Sequence, residues 1–281
     1  MGEIISRSSL PPLPDPIHVW GLPLCPLDTS QTLARAEALI EARKPSYFIT
    51  ANLNYAMLCD EDPTLEALNS HADFLVADGM PLVWAAKGQG TPLPERVAGA
   101  DLVVHLCERA AAKGYRIYIL GGPPNQAEEA GRMLEKKYPG FILAGTDCPP
   151  FRRWTPEDIH DMEERIRQAR PDILFVAFGQ PKGERWILEK LEPLQVPLSL
   201  QIGGSFDFVT GRLKRAPRWM QKTGLEWVYR FLQEPRRLGT RYAKNIWFVW
   251  RMTLGSLFSR KKFRRNRANP LAKRHLPEKN G

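Results

Sequence analysis

The apolar run Phe74 to Ala77 ends on Asp78-Gly79-Met80-Pro81, which sets a carboxylate where it can act as a general base or charge partner. Asp-Gly is also a common turn, so on local grounds both readings stand. Thr50-Ala51-Asn52 follows the short run Tyr47 to Thr50, and its hydroxyl and amide suit either a sugar or nucleotide ligand or the N-cap of a helix. Gly121-Gly122-Pro123-Pro124 lets backbone donors approach a phosphate at a helix start, although it matches neither GxGxxG nor GK[ST]. Gly179-Gln180-Pro181-Lys182-Gly183-Glu184 offers Gln180 and Lys182 to polar ligand groups or simply begins a helix.

Gly203-Gly204 with Asp207, and Arg212 to Arg218 with Arg215 at its centre, add backbone donors and guanidinium forks of the kind that pair with phosphate. No HExxH, DxD pair, GxSxG or Cys/His couple in the sequence makes a case for metal or serine chemistry.

Most of these residues sit just past a β-branched or aromatic run. The expected strands are Tyr47 to Thr50, Phe74 to Ala77, Arg116 to Leu120, Phe141 to Ala144, Ile173 to Ala177 and Leu198 to Ile202. Amphipathic stretches at Asp101 to Lys113, Asn125 to Lys137 and Thr155 to Ala169 alternate with them, the last opening on a Thr-Pro-Glu-Asp helix start. Repeated strand-then-helix order predicts an α/β, Rossmann-like, mostly parallel sheet flanked by helices. Such sheets bind ligands at the carboxyl ends of their strands, where the polar and glycine residues fall.

Four prolines in residues 1–16 predict a flexible leader, and the α/β domain is expected over 17–210. A basic, aromatic-rich helical appendage is expected over 211–258, in two stretches, Pro217 to Gln233 and Arg236 to Phe258, with a flexible basic tail over 259–281. Residues 1–210 hold 20 Lys and Arg against 28 Asp and Glu, and residues 211–281 hold 20 against 3. A body at −8 and a C-terminal part at +17 predict a surface that meets polyanions. Trp219, Trp227, Trp247 and Trp250 interleaved with Arg218, Arg230, Arg237 and Arg251 suit an anionic membrane interface or packing of the appendage onto the body. No zinc-finger spacing or aromatic-basic signature points to nucleic acid. The longest apolar stretch, Ile246 to Phe258, is broken by Arg251, which predicts a chain that lies on a membrane rather than crossing it. Four scattered cysteines, Cys25, Cys59, Cys107 and Cys148, and an N-terminus without a secretory pattern predict a reducing, cytoplasmic setting.

The ordered set Thr50-x-Asn52, Asp78-Gly79, Pro94-Glu95-Arg96-Val97-x-Gly99-x-Asp101-Leu102, Leu120-Gly121-Gly122, Gly179-x-Pro181-Lys182, Gly203-Gly204-x-Phe206-Asp207-Phe208 and Arg215-Ala216-Pro217 resembles the WecG/TagA/CpsF glycosyltransferases. The resemblance continues through Gly224-Leu225-Glu226-Trp227-x-Tyr229-Arg230 and Glu234-Pro235-Arg236-Arg237, spanning roughly residues 17–245.

The resemblance implies an inverting, metal-independent, cofactor-free transferase. It would move a sugar, of N-acetylmannosamine type or another hexose, from a UDP-sugar to a polyprenyl-diphosphate-linked acceptor in cell-surface polysaccharide synthesis. It implies a peripheral enzyme on the inner face of the cytoplasmic membrane, capable of self-association. By matched position Asp78 is the candidate general base, Thr50 and Asn52 line the donor pocket, and Arg96 meets a phosphate. Arg230, Arg237 and Arg241 of the appendage then meet leaving-group charge. The chain departs from the family at Gly183, where the family pattern carries Gln. A contact made by that amide is either lost or supplied from elsewhere. Its loss motivates a second expectation, an idle membrane-bound scaffold of a polysaccharide assembly complex; the Rossmann-like alternation alone motivates a third, a nucleotide-binding oxidoreductase.

Overall fold

The computed structural model describes residues 10–148 and 154–267. Its contacts divide the chain into two units, the first ending at Gln233 and the second beginning at Glu234.

The first unit opens on a hairpin, β1 (Ile17–Val19) and β2 (Leu22–Leu24), turned by Gly21 at φ 84°. Then follow α1 (Thr29–Glu41), β3 (Ile49–Ala51), α2 (Leu53–Glu61), α3 (Glu66–His71), β4 (Leu75–Ala77), α4 (Met80–Gln89) and α5 (Gly99–Lys113). The second half runs β5 (Arg116–Gly121), α6 (Gln126–Lys137), β6 (Ile142–Asp147), α7 (Pro156–Ala169), β7 (Ile173–Ala177), α8 (Lys182–Leu194) and β8 (Leu198–Gln201). Three short helices close it: α9 (Ser205–Val209), α10 (Arg218–Lys222) and α11 (Glu226–Gln233).

The strands form two four-stranded sheets, ordered β1-β2-β4-β3 and β6-β5-β7-β8, parallel except for β1. One parallel bridge between Tyr47 and Ser199 joins β8 to the chain entering β3. All parallel strands therefore release their carboxyl ends at one edge, as the strand-then-helix order predicts.

Strand β7 shows why these runs lack polar alternation. Ile173 and Phe175 join the main core with Leu39 and Ile40 of α1, Leu106 of α5 and Leu134 of α6. Leu174 and Val176 are equally buried but lie outside that cluster, facing the opposite layer, where α7 and α8 contact the sheet. A strand covered on both faces needs apolar residues at every position.

Three expectations are corrected. From Leu10 onward the Pro-rich leader is not loose: Leu10 and Leu13 pack on the core, and Arg35 Nη1 donates to the Pro11 carbonyl at 2.8 Å. Prolines exclude regular structure but not packing. Residues 1–9 of that leader lie outside the described residues.

The stretch from Pro217 to Gln233 is two helices rather than one. They meet at Gly224, φ 77°, where a Cβ would fall 2.7 Å from both Met80 Cγ and Trp84 Cζ2 of α4, so only glycine admits the turn against its neighbour. α10 and α11 thus belong to the first unit, and the boundary expected at 210 falls at 233.

Among its described residues the second unit is one helix, α12 (Pro235–Arg267), which carries the polar run expected to be flexible as far as Arg267. Residues 268–281 of that expected tail lie outside the described residues.

Candidate active site

At the carboxyl end of β4, the Asp78 N–H donates to the Ala51 carbonyl of β3 at 2.7 Å, locking the two strand ends together. Gly79 follows at φ 153°, a conformation side chains avoid, and α4 begins at once with Pro81 in its first turn. The Asp-Gly turn and the presented carboxylate are one feature.

Gly99, at the start of α5, explains how close the neighbours come. A Cβ there would stand 3.1 Å from Thr50 Oγ1 and 3.2 Å from Asp78 Oδ2. Hydroxyl and carboxylate thus converge on one point that the missing side chain leaves open, and the Gly99 N–H donates to Asp78.

Burial pushes the Asp78 carboxyl up to about 6, against the opposing pull of Arg96, the Gly99 N–H and Arg215, while Glu226 adds to the rise. Desolvation disfavours the charged form, and the two arginines only partly offset it. The residue as a whole is half-buried. A carboxyl of this kind is ionised near neutral pH yet holds a proton more tightly than an ordinary aspartate.

Beside it, Glu226 at the start of α11 binds two arginines. Arg96 Nη1 donates to Glu226 Oε2 at 2.7 Å, and Arg215 Nε stands 3.3 Å from Oε1. Arg215 also pairs with Asp101 at 2.9 Å. Both guanidiniums are therefore held in place by carboxylates. Phe208 lies between Arg215 and Arg230, whose guanidinium carbons stand 5.0 and 5.7 Å from its ring centre. Arg230 Nε is buried without a hydrogen-bond partner among the described residues.

On the β3 side, Asn52 caps α2 by accepting from the Tyr55 N–H at 3.1 Å, and its Nδ2 donates to Gln180 Oε1 at 2.7 Å. The ligand and capping readings of Asn52 are thus compatible. Gln180 Nε2 donates to the Thr50 carbonyl at 3.2 Å and to Glu184 Oε1 at 2.8 Å. Its amide is fully used inside the protein. Glu184 is buried, its Oε2 has no hydrogen-bond partner among the described residues, and desolvation pushes its pKa up to about 7.

The glycine turns are filled by neighbouring side chains. A Cβ on Gly122 would meet Gln126 Oε1 at 2.6 Å, and one on Gly121 would meet the Phe178 ring at 2.8 Å. Gln126 Nε2 donates to Asp207 Oδ1 at 2.6 Å, and a Cβ on Gly204 would meet Asp207 Oδ2 at 2.6 Å. Gly203 adopts φ 54°.

Of the residues singled out in the sequence, Thr50, Asn52, Asp78 and Gln180 meet at the β3 and β4 ends, with Arg96 and Arg215 joined through Glu226. Gly121, Gly122, Gly203 and Asp207 gather at the β5 and β8 ends, with Arg230 beside Gly204. Lys182 is exposed at the start of α8. Arg237 and Arg241 lie in the second unit, where Arg237 pairs with Glu234. Sequence reasoning gave no role to Gly99, Gln126, Glu184 or Glu226. Gly99 and Glu226 lie inside the motifs that carry the resemblance, but their partners are distant in sequence.

Among the described residues no group of three or more His, Cys, Asp or Glu is placed to hold a metal ion, and no helix is long and apolar enough to cross a membrane. An N-acetylglucosaminyldiphosphoundecaprenol N-acetyl-beta-D-mannosaminyltransferase of Bacillus spizizenii is 31% identical over 198 residues, covering 70% of this chain and 75% of the relative. The sequence profile of the glycosyl transferase WecG/TagA/CpsF family matches residues 17–263, and the chain is a member of that family of glycosyltransferases.

Proposed function

We propose that the chain transfers a sugar from a UDP-sugar to a polyprenyl-diphosphate-linked acceptor, with inversion and without a metal ion. The observation that carries this reading is Asp78, a carboxyl pushed up to about 6 and set opposite Thr50 across the open position of Gly99 at the carboxyl edge of the sheet. The acceptor hydroxyl oxygen attacks the anomeric carbon while the bond to the UDP oxygen breaks on the opposite face. Asp78 takes the hydroxyl proton as the new bond forms. Thr50 and the remaining Asn52 N–H are the partners this reading assigns to sugar hydroxyls.

The departing diphosphate gains negative charge, which fixed guanidiniums stabilise without reorganising. Arg96, Arg215 and Arg230 of the first unit supply them. The Bacillus relative, named for a diphosphoundecaprenol-linked acceptor, supports a lipid-linked substrate here and polysaccharide precursor synthesis as the purpose.

Such a substrate places the enzyme at the inner face of the cytoplasmic membrane. Exposed Trp219 and Trp227 in the first unit, and Trp247 and Trp250 in the second, stacked at 4.9 Å, have the amphipathic character of residues that settle at a lipid headgroup layer. Arg218, Arg236 and Arg251 are exposed on the same helices and suit anionic lipid.

The test is UDP release by the purified chain with a panel of UDP-sugars, each with and without a polyprenyl-diphosphate-linked amino sugar. Acceptor-dependent release with one donor is expected. A folded, vesicle-binding protein that neither releases nor binds UDP would instead favour the scaffold reading.

A further inference from the structure

Strand β8 ends on Gln201, and its side chain occupies the volume that a side chain at residue 183 would need. A Cβ built on Gly183 falls 2.2 Å from Gln201 Cγ, 3.0 Å from Cδ and 3.3 Å from Cβ. The overlap is with the stem rather than the tip, so swinging the amide does not relieve it. Position 183 and position 201 share one space, and in this chain Gln201 fills it. Gly183 has an ordinary φ and needs no glycine for its backbone; the neighbour alone dictates the residue.

The Gln201 amide has a fixed orientation. Its Oε1 accepts from the Gly203 N–H, and Nε2 lies 4.0 Å from where a Cβ on Gly203 would stand. Among the described residues Nε2 has no hydrogen-bond partner, and it is not among the sealed, unsatisfied atoms. Gln180, the nearer candidate by sequence, has both Nε2 hydrogens committed, to Thr50 and Glu184. At the ends of β7 and β8, Gln201 is therefore the amide with donors to spare.

Resting on the transferase reading above, we propose that Gln201 is a specificity-determining residue: its Nε2 donates to an acceptor oxygen of the bound sugar nucleotide, and Gly183 is the gap that lets it reach. The departure from the family pattern at 183 then carries no loss of function, because an amide enters the same space from the neighbouring strand.

The test uses the full chain and four proteins: wild type, Q201A, G183A and the double variant Q201A/G183A. Melting temperature reports packing; kcat/KM with the preferred UDP-sugar and calorimetric affinity for that sugar nucleotide report recognition. G183A displaces the Gln201 stem, so both stability and kcat/KM fall. In the double variant the added methyl faces only the Cβ at 201, near 3.3 Å, and melting temperature returns toward wild type. Affinity and kcat/KM stay about five- to tenfold low in Q201A and in the double variant, mainly through KM, as expected for one hydrogen bond made before and during reaction.

Recovery of kcat/KM together with stability in the double variant would reduce Gln201 to a packing role and overturn the proposal. Wild-type affinity in Q201A would overturn it too, while leaving the transferase reading intact. If wild type binds sugar nucleotide but does not transfer, only the transferase reading falls, and the affinity comparison still decides the role of Gln201. If wild type binds no sugar nucleotide, both fall.

Discussion

Two carboxyls lie past the carboxyl ends of parallel strands, Asp78 directly after β4 and Glu184 in the first turn of α8 after β7, and both are pushed up by burial: Asp78 to about 6 and Glu184 to about 7. Their surroundings differ. Asp78 is half-buried as a residue, and its carboxyl faces Arg96, Arg215 and a backbone N–H, so its charged form is costly but supported. Glu184 is sealed, faces one amide of Gln180 and has an oxygen with no hydrogen-bond partner among the described residues. A raised carboxyl is therefore not a general base by that fact alone. It must reach substrate space and have its ionised form supported. The role of base proposed above falls to Asp78, whose charged form has that support, whereas Glu184 orients Gln180 and, through it, Asn52.

The sharpest way to break this contrast is D78N. Turnover is expected to fall by about 10²–10⁴-fold with UDP affinity kept, as single-turnover rates and calorimetry would show. Equal loss on replacing Glu184 with Gln would erase the distinction; E184Q keeps an acceptor for Gln180 and is expected to cost less than about tenfold.

The environment of Asp78 predicts a pH signature. Activity should rise as pH increases through about 6, where the base loses its proton. Arg96 opposes the rise in that pKa and Glu226 adds to it, so R96M leaves a buried carboxylate near Asp78 with one fewer cation. The acid limb of the kcat/KM profile should move up by about one pH unit. An unmoved limb would show that Arg96 does not act on the base.

Glu184 gives a smaller, thermodynamic effect. Its folded-state pKa lies above the unfolded value of 4.5, so the folded chain binds the proton more tightly and stability falls as pH rises from about 4.5 to 7. E184Q removes that slope: the variant should melt like wild type near pH 4 and about 2–4 °C higher at pH 8 for each kcal/mol relieved. Melting curves across that range read the sign directly.

The smallest expected effect concerns the membrane. Replacing Arg218 or Arg251 with Gln should weaken binding to anionic vesicles by about 1 kcal/mol each, and salt should shrink the difference. Sedimentation with vesicles at two ionic strengths would test it.

Much of this was legible in the chain. Uninterrupted apolar runs such as Ile173–Ala177 announced strands buried on both faces, and Asp78 was visible because it ends one. The hairpin of β1 and β2 was not, since three-residue strands around Trp20-Gly21 carry too little periodicity to be seen. The break at Gly224 also escaped, because a helical period runs through it and only Met80 and Trp84 reveal why glycine is needed.

Local physics decides what a short segment prefers, so the α/β order, the carboxyl-edge placement of the polar residues, the lopsided charge and the family could all be read along the chain. Tertiary structure decided which groups meet. Gly99 draws Thr50 and Asp78 together, Glu226 reaches Arg96 across 130 residues and joins it to Arg215, and Gln201 claims the space of Gly183. Those pairings depend on excluded volume and desolvation between segments far apart in the chain, and neither is written in the residues taken one stretch at a time.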